Sequence, residues 1–330
     1  MTPFGPENDS LRSSWQRFEP AYLDSYLVSG VEDPRINLQS ILTRALLADT
    51  LWPNRHTHLI EAELRFALAL TCLLNQLQSG RSRHELLEEL MDGRSTTCPN
   101  LLRKTYRYLQ QDNCPVPDYL TTALLQPGPT EPHDSLHQSA LNTFCHLWQA
   151  TLANSHASPL TVLEPACGSA NDYRFLHHTG LARFLNYTGF DIAPSNITNA
   201  RQHFSTVNFF TASILDNLLP DQTFDIVFVH DLFEHLSPAA LDRALDQTMR
   251  LTHRLACLHF FNADNLPQHQ IRPTGRYHCN LLSISRLTET LQRLGGSTNV
   301  YLLHEWLHQK FAFDNYYNPQ AVTILVEKQP

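Results

Sequence analysis

Clustered basic charge is what this sequence has least of. Only 17% of its 330 residues are charged, and 24 Lys and Arg stand against 32 Asp and Glu, for a net charge of −8. Affinity for phosphate backbones rests on grouped Lys and Arg, so a general nucleic-acid surface is not expected. Long apolar runs are also missing. The most apolar stretch, Phe66 to Leu74, falls well short of the roughly 20 residues that cross a bilayer, and no membrane association is expected. Nor is there a Cys-x-x-Cys pair. The seven cysteines at 72, 98, 114, 145, 167, 257 and 279 are odd in number and widely spaced, which argues against a disulfide framework and a thiolate zinc site. The N-terminus carries no apolar segment behind a basic start, so no secretory leader is expected, and the setting expected is a reducing cytoplasm.

What is present is enough apolar material for a sizeable core, 42% of the chain. Dominant disorder is excluded. At about 100–200 residues per domain, one large unit or two ordinary ones are expected.

The chain divides by texture. Residues 1–130 read as helices joined by polar loops. Ile60, Leu64, Ala67, Leu68, Cys72, Leu73 and Leu77 follow helical spacing, as do Leu38, Ile41, Leu42, Ala45 and Leu46 one helix earlier. Shorter helices are predicted at 83–92, 100–111 and 118–125. The run 126–132, QPGPTEP, reads as a linker because its prolines cannot continue a helix. An amphipathic helix carrying Leu141, Phe144, Cys145, Trp148 and Leu152 follows, with Asp134 or Ser135 as its cap. The stripes of 1–130 need burial, so this part is expected to be a cap over a site in 131–330 or a homodimer surface.

From Pro159 short apolar runs alternate with amphipathic segments. Strands are predicted at 160–163, 187–190, 207–210, 224–229 and 255–261, with helices at 171–179, 194–203, 238–250 and 283–294 between them. Two more strands, near 299–303 and 321–326, close the chain as a hairpin. This alternation predicts a doubly wound α/β sheet of seven mostly parallel strands behind an N-terminal helical domain.

The stretch that carries chemistry is VLEPACGSAND, 162–172, a strand running into a turn of small residues before a helix. In a doubly wound sheet such a turn brings backbone N–H groups and a helix N-terminus to the ligand crevice. Asp191 follows Gly168 by 23 residues at the end of the next strand, where a carboxylate can accept from ribose hydroxyls. The structural alternatives are a helix-capping Glu164 and an ordinary turn Asp191.

Four blocks in order, LEPACGSAND at 163–172, YTGFDIAPSN at 187–196, ASILDN at 212–217 and FDIVFVHDLFEHL at 224–236, resemble the class I S-adenosylmethionine-dependent methyltransferases. The resemblance covers roughly residues 135–330 and implies a Rossmann-like methyltransferase fold with S-adenosyl-L-methionine as cofactor. It places Glu164, Gly168 and Ser169 around the methionine portion, Asp191 on the ribose, Ile192 against the adenine, and Ser213 and Ile214 on the adenine's other side. His230 faces the donor methyl and is the first candidate for a base, with His235 and His278 behind it. Ala166 and Ala170 stand where the family usually has glycines, and Ser213 where it often has an Asp. The implied function is methyl transfer to a small-molecule hydroxyl or amine. The alternative is a cofactor-binding scaffold without turnover.

Other motifs are weaker. A dinucleotide fingerprint needs G-x-G-x-x-G, and here two of the three glycines are Ala166 and Asn171. The first block also resembles DNA adenine methyltransferases, but 229–233 is VHDLF, without their Pro-Pro motif. His304-Glu305-Trp306-Leu307-His308 matches H-E-x-x-H, yet it falls where the sixth strand or the turn leaving it is expected, which would separate the two imidazoles. No metal site is expected. The acceptor loops are 230–235 and 262–280, the second carrying Asp264, His269, Arg272, Tyr277, His278 and Asn280.

Overall fold

The structure, a computed structural model, describes Arg35 and residues 37–78, 143–274, 277–314 and 316–329. The predicted helices at 83–92, 100–111 and 118–125, the linker, the caps Asp134 and Ser135, and the boundary at 130/131 lie outside the described residues.

Two helices open the described chain: α1 (Leu38–Leu51) and α2 (Thr57–Gln78). The Asn37 side chain starts α1 by accepting the N–H groups of Gln39 and Ser40 at 3.0 and 3.2 Å. After α3 (Thr143–Leu152) the α/β part follows in chain order: β1 (Leu160–Pro165), α4 (Asn171–His178), β2 (Leu185–Asp191), α5 (Pro194–His203), β3 (Asn208–Thr211), β4 (Phe224–Val229), α6 (Pro238–Leu251) and β5 (Thr252–Phe260). The chain continues through α7 (Ile284–Arg293), β6 (Gly296–Leu302), α8 (Leu303–Phe311) and β7 (Val322–Lys328).

The sheet has seven strands in the order β6-β7-β5-β4-β1-β2-β3. The five strands β1 to β5 pair in parallel, and β7 runs antiparallel between β5 and β6. The predicted closing pair is therefore present, but not as a simple hairpin. Helix α8 stands between its strands, with Leu303, Leu307 and Phe311 buried at a spacing of four. A helix, not a direct strand-to-strand turn, fills this stretch, as the apolar spacing of four requires.

Alternate side chains along each strand feed two cores. Leu163, Val227, Val229, Leu258 and Ile324 face α6 and α7, while Val162, Ile226, Phe228 and Cys257 share a cluster with α1, α2, α3 and α8. Ile41, Leu47, Leu64 and Leu68 of the first two helices are at most 1% exposed in that second cluster. At about 1.5–3 kcal/mol each, their burial is a gross stabilisation of about 6–12 kcal/mol, as large as the whole net stability of a typical domain. The N-terminal helices are thus part of the sheet's own core. Among the described residues no helix is long and apolar enough to cross a membrane.

Candidate functional site

The loop leaving β1 holds three residues in the left-handed region: Ala166 at φ 57°, Gly168 at 55° and Ala170 at 68°. The two alanines take up the conformation that glycine would adopt without strain. Left-handed φ costs an L-residue about 1–2 kcal/mol, and here the surroundings enforce it. Cys167 N–H donates to the Phe190 carbonyl and Ala170 N–H to that of Cys167, both at 3.0 Å. Beneath the loop, a side chain at Gly189 would meet the Phe209 ring at 2.8 Å and Cys167 Sγ at 3.0 Å. At Gly168, by contrast, no atom of the described residues beyond its own chain neighbours lies within 4 Å of where a Cβ would stand. The backbone there is open to a ligand.

Asp191 ends β2 and is buried. Its Oδ2 accepts Gly168 N–H at 3.0 Å and its Oδ1 accepts Ala193 N–H at 2.8 Å. The next residue, Ile192, leaves 72% of its surface in solvent, an apolar side chain with no protein cover at the strand end. Ser169 meets α5 through Asn199, whose Nδ2 donates to its hydroxyl at 3.3 Å. Ser213 Oγ accepts Leu215 N–H at 3.2 Å. Ile214 is 6% exposed and packs in the core with Leu163 and Phe190.

Glu164, 3% exposed, accepts the hydroxyl proton of Tyr187 from the neighbouring strand. Burial, reinforced by the charge of Asp172, raises its carboxyl well above the ordinary range. Burial likewise raises the Tyr187 phenol.

His230 follows β4 as expected, but both its ring nitrogens have protein partners. Nδ1 meets Asp172 Oδ2 at 2.7 Å and Nε2 meets Thr43 Oγ1 at 3.2 Å. Burial acts to raise the Asp172 carboxyl, yet the His230 imidazole, with Ser40 and Arg44, outweighs it and holds the group below its usual range. Thr43 in turn lies 2.7 Å from His259 Nε2, and His259 Nδ1 lies 2.9 Å from Thr323 Oγ1. Burial, then the neighbouring His230, lowers His259 well below the usual imidazole range. Asp172, Tyr187, Thr43 and His259 were not among the sequence candidates. Only Asp172 and Tyr187 lay inside the recognised blocks.

The loops 230–235 and 262–280 are clamped together. Glu234, fully buried, accepts Phe261 N–H at 2.8 Å, and its carbonyl accepts Asn280 N–H at 2.9 Å. Burial, then the charge of Asp231, raises its carboxyl to about 7. Asn280 Nδ2 donates to the Leu236 carbonyl and Asn262 Nδ2 to that of Asn280, both at 2.7 Å. His235 Nε2 meets Asp231 Oδ1 at 3.0 Å, and this bond, against burial, raises the imidazole to about 9. His235 is therefore a cation at neutral pH. Its Nδ1 meets the carbonyl of His278 at 2.9 Å, and the rings of Phe261 and Tyr277 lie 5.8 Å away. In the second loop His269 Nδ1 accepts Ser283 N–H at 2.9 Å, a structural contact.

Residues 162–254 match a family described as a methyltransferase domain. The chain thus contains a segment similar to methyltransferase domains. No curated protein matches the chain. Among solved structures the chain is similar to the 1,6-didemethyltoxoflavin-N1-methyltransferase of Burkholderia thailandensis, solved with 1,6-didemethyltoxoflavin and S-adenosylhomocysteine. Identity is 14% over 56% of this chain and 76% of that one, with a TM-score of 0.41. An S-adenosylmethionine-dependent methyltransferase from Mesorhizobium loti is 12% identical over 56% and 96%, with a TM-score of 0.41. A TehB-like methyltransferase from Corynebacterium glutamicum is 15% identical over 56% and 86%, with a TM-score of 0.39.

The resemblance of the four sequence blocks implies S-adenosylmethionine as cofactor. Three observations fit it: open backbone at Gly168, a buried carboxylate at Asp191, and the uncovered Ile192 beside it. The H-E-x-x-H stretch lies on α8, not in a strand, so His304 and His308 are one helical turn apart. Both side chains are exposed, and His308 Nδ1 is bonded to Asp314 Oδ1. Among the described residues no group of three or more His, Cys, Asp or Glu is arranged to hold a metal ion.

Proposed function

We propose that this methyltransferase modifies a hydroxyl or amine on a small molecule. The carrying observation is the latch of the β1 loop onto Asp191 beside the exposed Ile192, which supports a working cofactor cradle. Asp191 would hold the ribose hydroxyls, Ile192 would cover the adenine, and Gly168 would admit the methionine portion. The bound cofactor supplies an electrophilic methyl group on a sulfonium. The chain's own task is alignment, because the donor is already activated. On the acceptor side, His235, Tyr277 and Phe261 form a polar and aromatic group, held by the Glu234 clamp. Such a group suits a small polar acceptor, and the net charge of −8 does not favour a nucleic acid.

His235, as a cation, is a donor rather than a base. His230, with both nitrogens occupied, is a positioning residue in this reading. An amine acceptor attacks through its lone pair and needs no base before transfer. The scaffold alternative drew on Ala166 and Ala170, but the loop takes the glycine-like conformation with them in place. Cys145, Cys167, Cys257 and Cys279 are free thiols, which supports a reducing cytoplasm.

Calorimetric titration with S-adenosylmethionine, followed by S-adenosylhomocysteine release in the presence of phenols, catechols and amines, tests the proposal. Binding and release with one such class are expected. Binding with no release from any class would favour the scaffold.

A further inference from the structure

Five side chains from five elements form one unbroken hydrogen-bonded row: Thr323 of β7, His259 of β5, Thr43 of α1, His230 after β4 and Asp172 of α4. Thr43, His259 and Thr323 are at most 2% exposed, so each of their polar atoms needs a partner within the protein. The two imidazole rings lie 4.1 Å apart between centroids.

Proton counting fixes the direction of the row. Asp172 is ionised, because its carboxyl is held below the ordinary range, so His230 Nδ1 must carry a hydrogen and donate to it. His259 is neutral in its buried position and has a single N–H. A neutral His230 then has a bare Nε2, whose partner among the described residues is the Thr43 hydroxyl. With its one hydrogen spent there, Thr43 must accept from His259, so the His259 hydrogen sits on Nε2. Its Nδ1 is bare and accepts from Thr323. Cys257 Sγ, 3.3 Å from the same Nε2, is a weak second acceptor.

Thr43 also has a second acceptor, the carbonyl of Gln39, at 3.2 Å. If His230 gains a proton on Nε2, the Thr43 hydroxyl can turn to Gln39 and accept from both imidazoles. Nothing buried is then left unpaired, and His259 keeps its tautomer. The charged and titratable groups around the row are Asp172 of α4, Arg44 of α1, His259 and Cys257 of β5 and, through its effect on Asp172, Glu164 of β1.

We infer that Thr43 is a positioning residue of the active site, a hydroxyl rotor that keeps His230 on Asp172 in both of its charge states. The N-terminal helix α1 thereby contributes to the site and does more than cover it. The activity readout rests on the proposed methyltransferase reaction. The spectroscopic readout does not, which keeps the two separable.

The test is nitrogen-15 NMR of the histidines in the full, cofactor-free chain, with Thr43→Val and Thr43→Ser variants. In the wild type at high pH, His230 should carry its proton on Nδ1 and His259 on Nε2. Thr43→Val should shift the His230 Nε2 resonance, displace the pH profile of kcat and lower kcat about 3- to 10-fold, the scale of one lost hydrogen bond. Thr43→Ser should restore all three, and KM for S-adenosylmethionine should stay level throughout. His259 found with its proton on Nδ1 overturns the inference, and the wild-type spectrum decides this even if Thr43→Val does not fold. A folded Thr43→Val protein with the wild-type spectrum and pH profile overturns it as well.

Discussion

Asp191 and Gly168 are joined across 23 positions of chain: the carboxylate Oδ2 accepts the glycine N–H at 3.0 Å. One residue thus ends β2 and pins the β1 loop. Replacing it should remove more than ribose contacts. Asp191→Ala should weaken S-adenosylmethionine binding by about 1.5–3 kcal/mol, the scale for hydrogen bonds to a charged group, or roughly 10- to 150-fold. Asp191→Asn, which keeps an acceptor, should lose less. Calorimetry on folded variants checks both, and unchanged affinity would remove Asp191 from the cofactor site.

Ala166 offers a test of loop strain. Ala166→Gly should leave cofactor affinity intact and raise stability by up to about 1 kcal/mol, because glycine adopts φ near 57° without the Cβ penalty. Ala166→Val should do the opposite, lowering both the melting temperature and binding. A lower melting temperature for Ala166→Gly would show that the alanine conformation carries no strain.

Glu234 should give stability a pH slope. Its carboxyl sits at about 7 when folded and about 4.5 when unfolded. Between those values the folded protein retains a proton that the unfolded chain has released, so stability falls as pH rises. The ceiling is about 3 kcal/mol. Urea unfolding at pH 5 and pH 7 should show this fall in the wild type and a flatter response in Glu234→Gln.

His235 should titrate at about 9 in the folded protein. Its pairing with Asp231 stabilises the fold fully below about 6.5, the unfolded value, and that contribution is lost as pH rises through 9. Asp231→Asn should bring the imidazole down toward its ordinary range, followed by proton NMR of the ring. A His235 that titrates near 6.5 in the wild type would restore it as a candidate base.

Glu63 is the hub of a buried polar group: Arg44 Nη2 lies 2.7 Å from one oxygen, and Trp148 Nε1 donates to the other at 2.8 Å. Removing one partner of such a pair leaves a charge in the core, at a cost of about 3–5 kcal/mol. Glu63→Ala should lower stability on that scale, measured by denaturant unfolding. For the same reason a truncated chain beginning at Asp134 should fail to fold, since it would bare Trp148 and one face of the sheet.

The parts of this molecule legible in the sequence are those with short-range causes. Strand alternation, helical stripes and the small-residue loop are local, and the strands and helices of 160–293 formed close to where they were predicted. Helix α8 was missed because its apolar spacing was subordinated to the expected strand exit. The placement of His230 was legible, but its surroundings were not. Thr43 and His259 approach each other across 216 residues, and His230 and Thr43 across 187. No local pattern in a threonine of α1 announces a partner in β5. Ile214 lay in a recognised block, but its place in the core with Leu163 and Phe190 depends on strands far along the chain.

The last strand occupies an inner position of the sheet, with β5 on one side and β6 on the other. During synthesis the outer edge of β5 must therefore wait, unpaired, until residues 322–328 have left the ribosome. A nascent chain held short of that point would display an apolar, hydrogen-bond-hungry edge to its neighbours. Ribosome-associated protection should matter until residues 322–328 emerge, well after the β1 loop and Asp191 have been made.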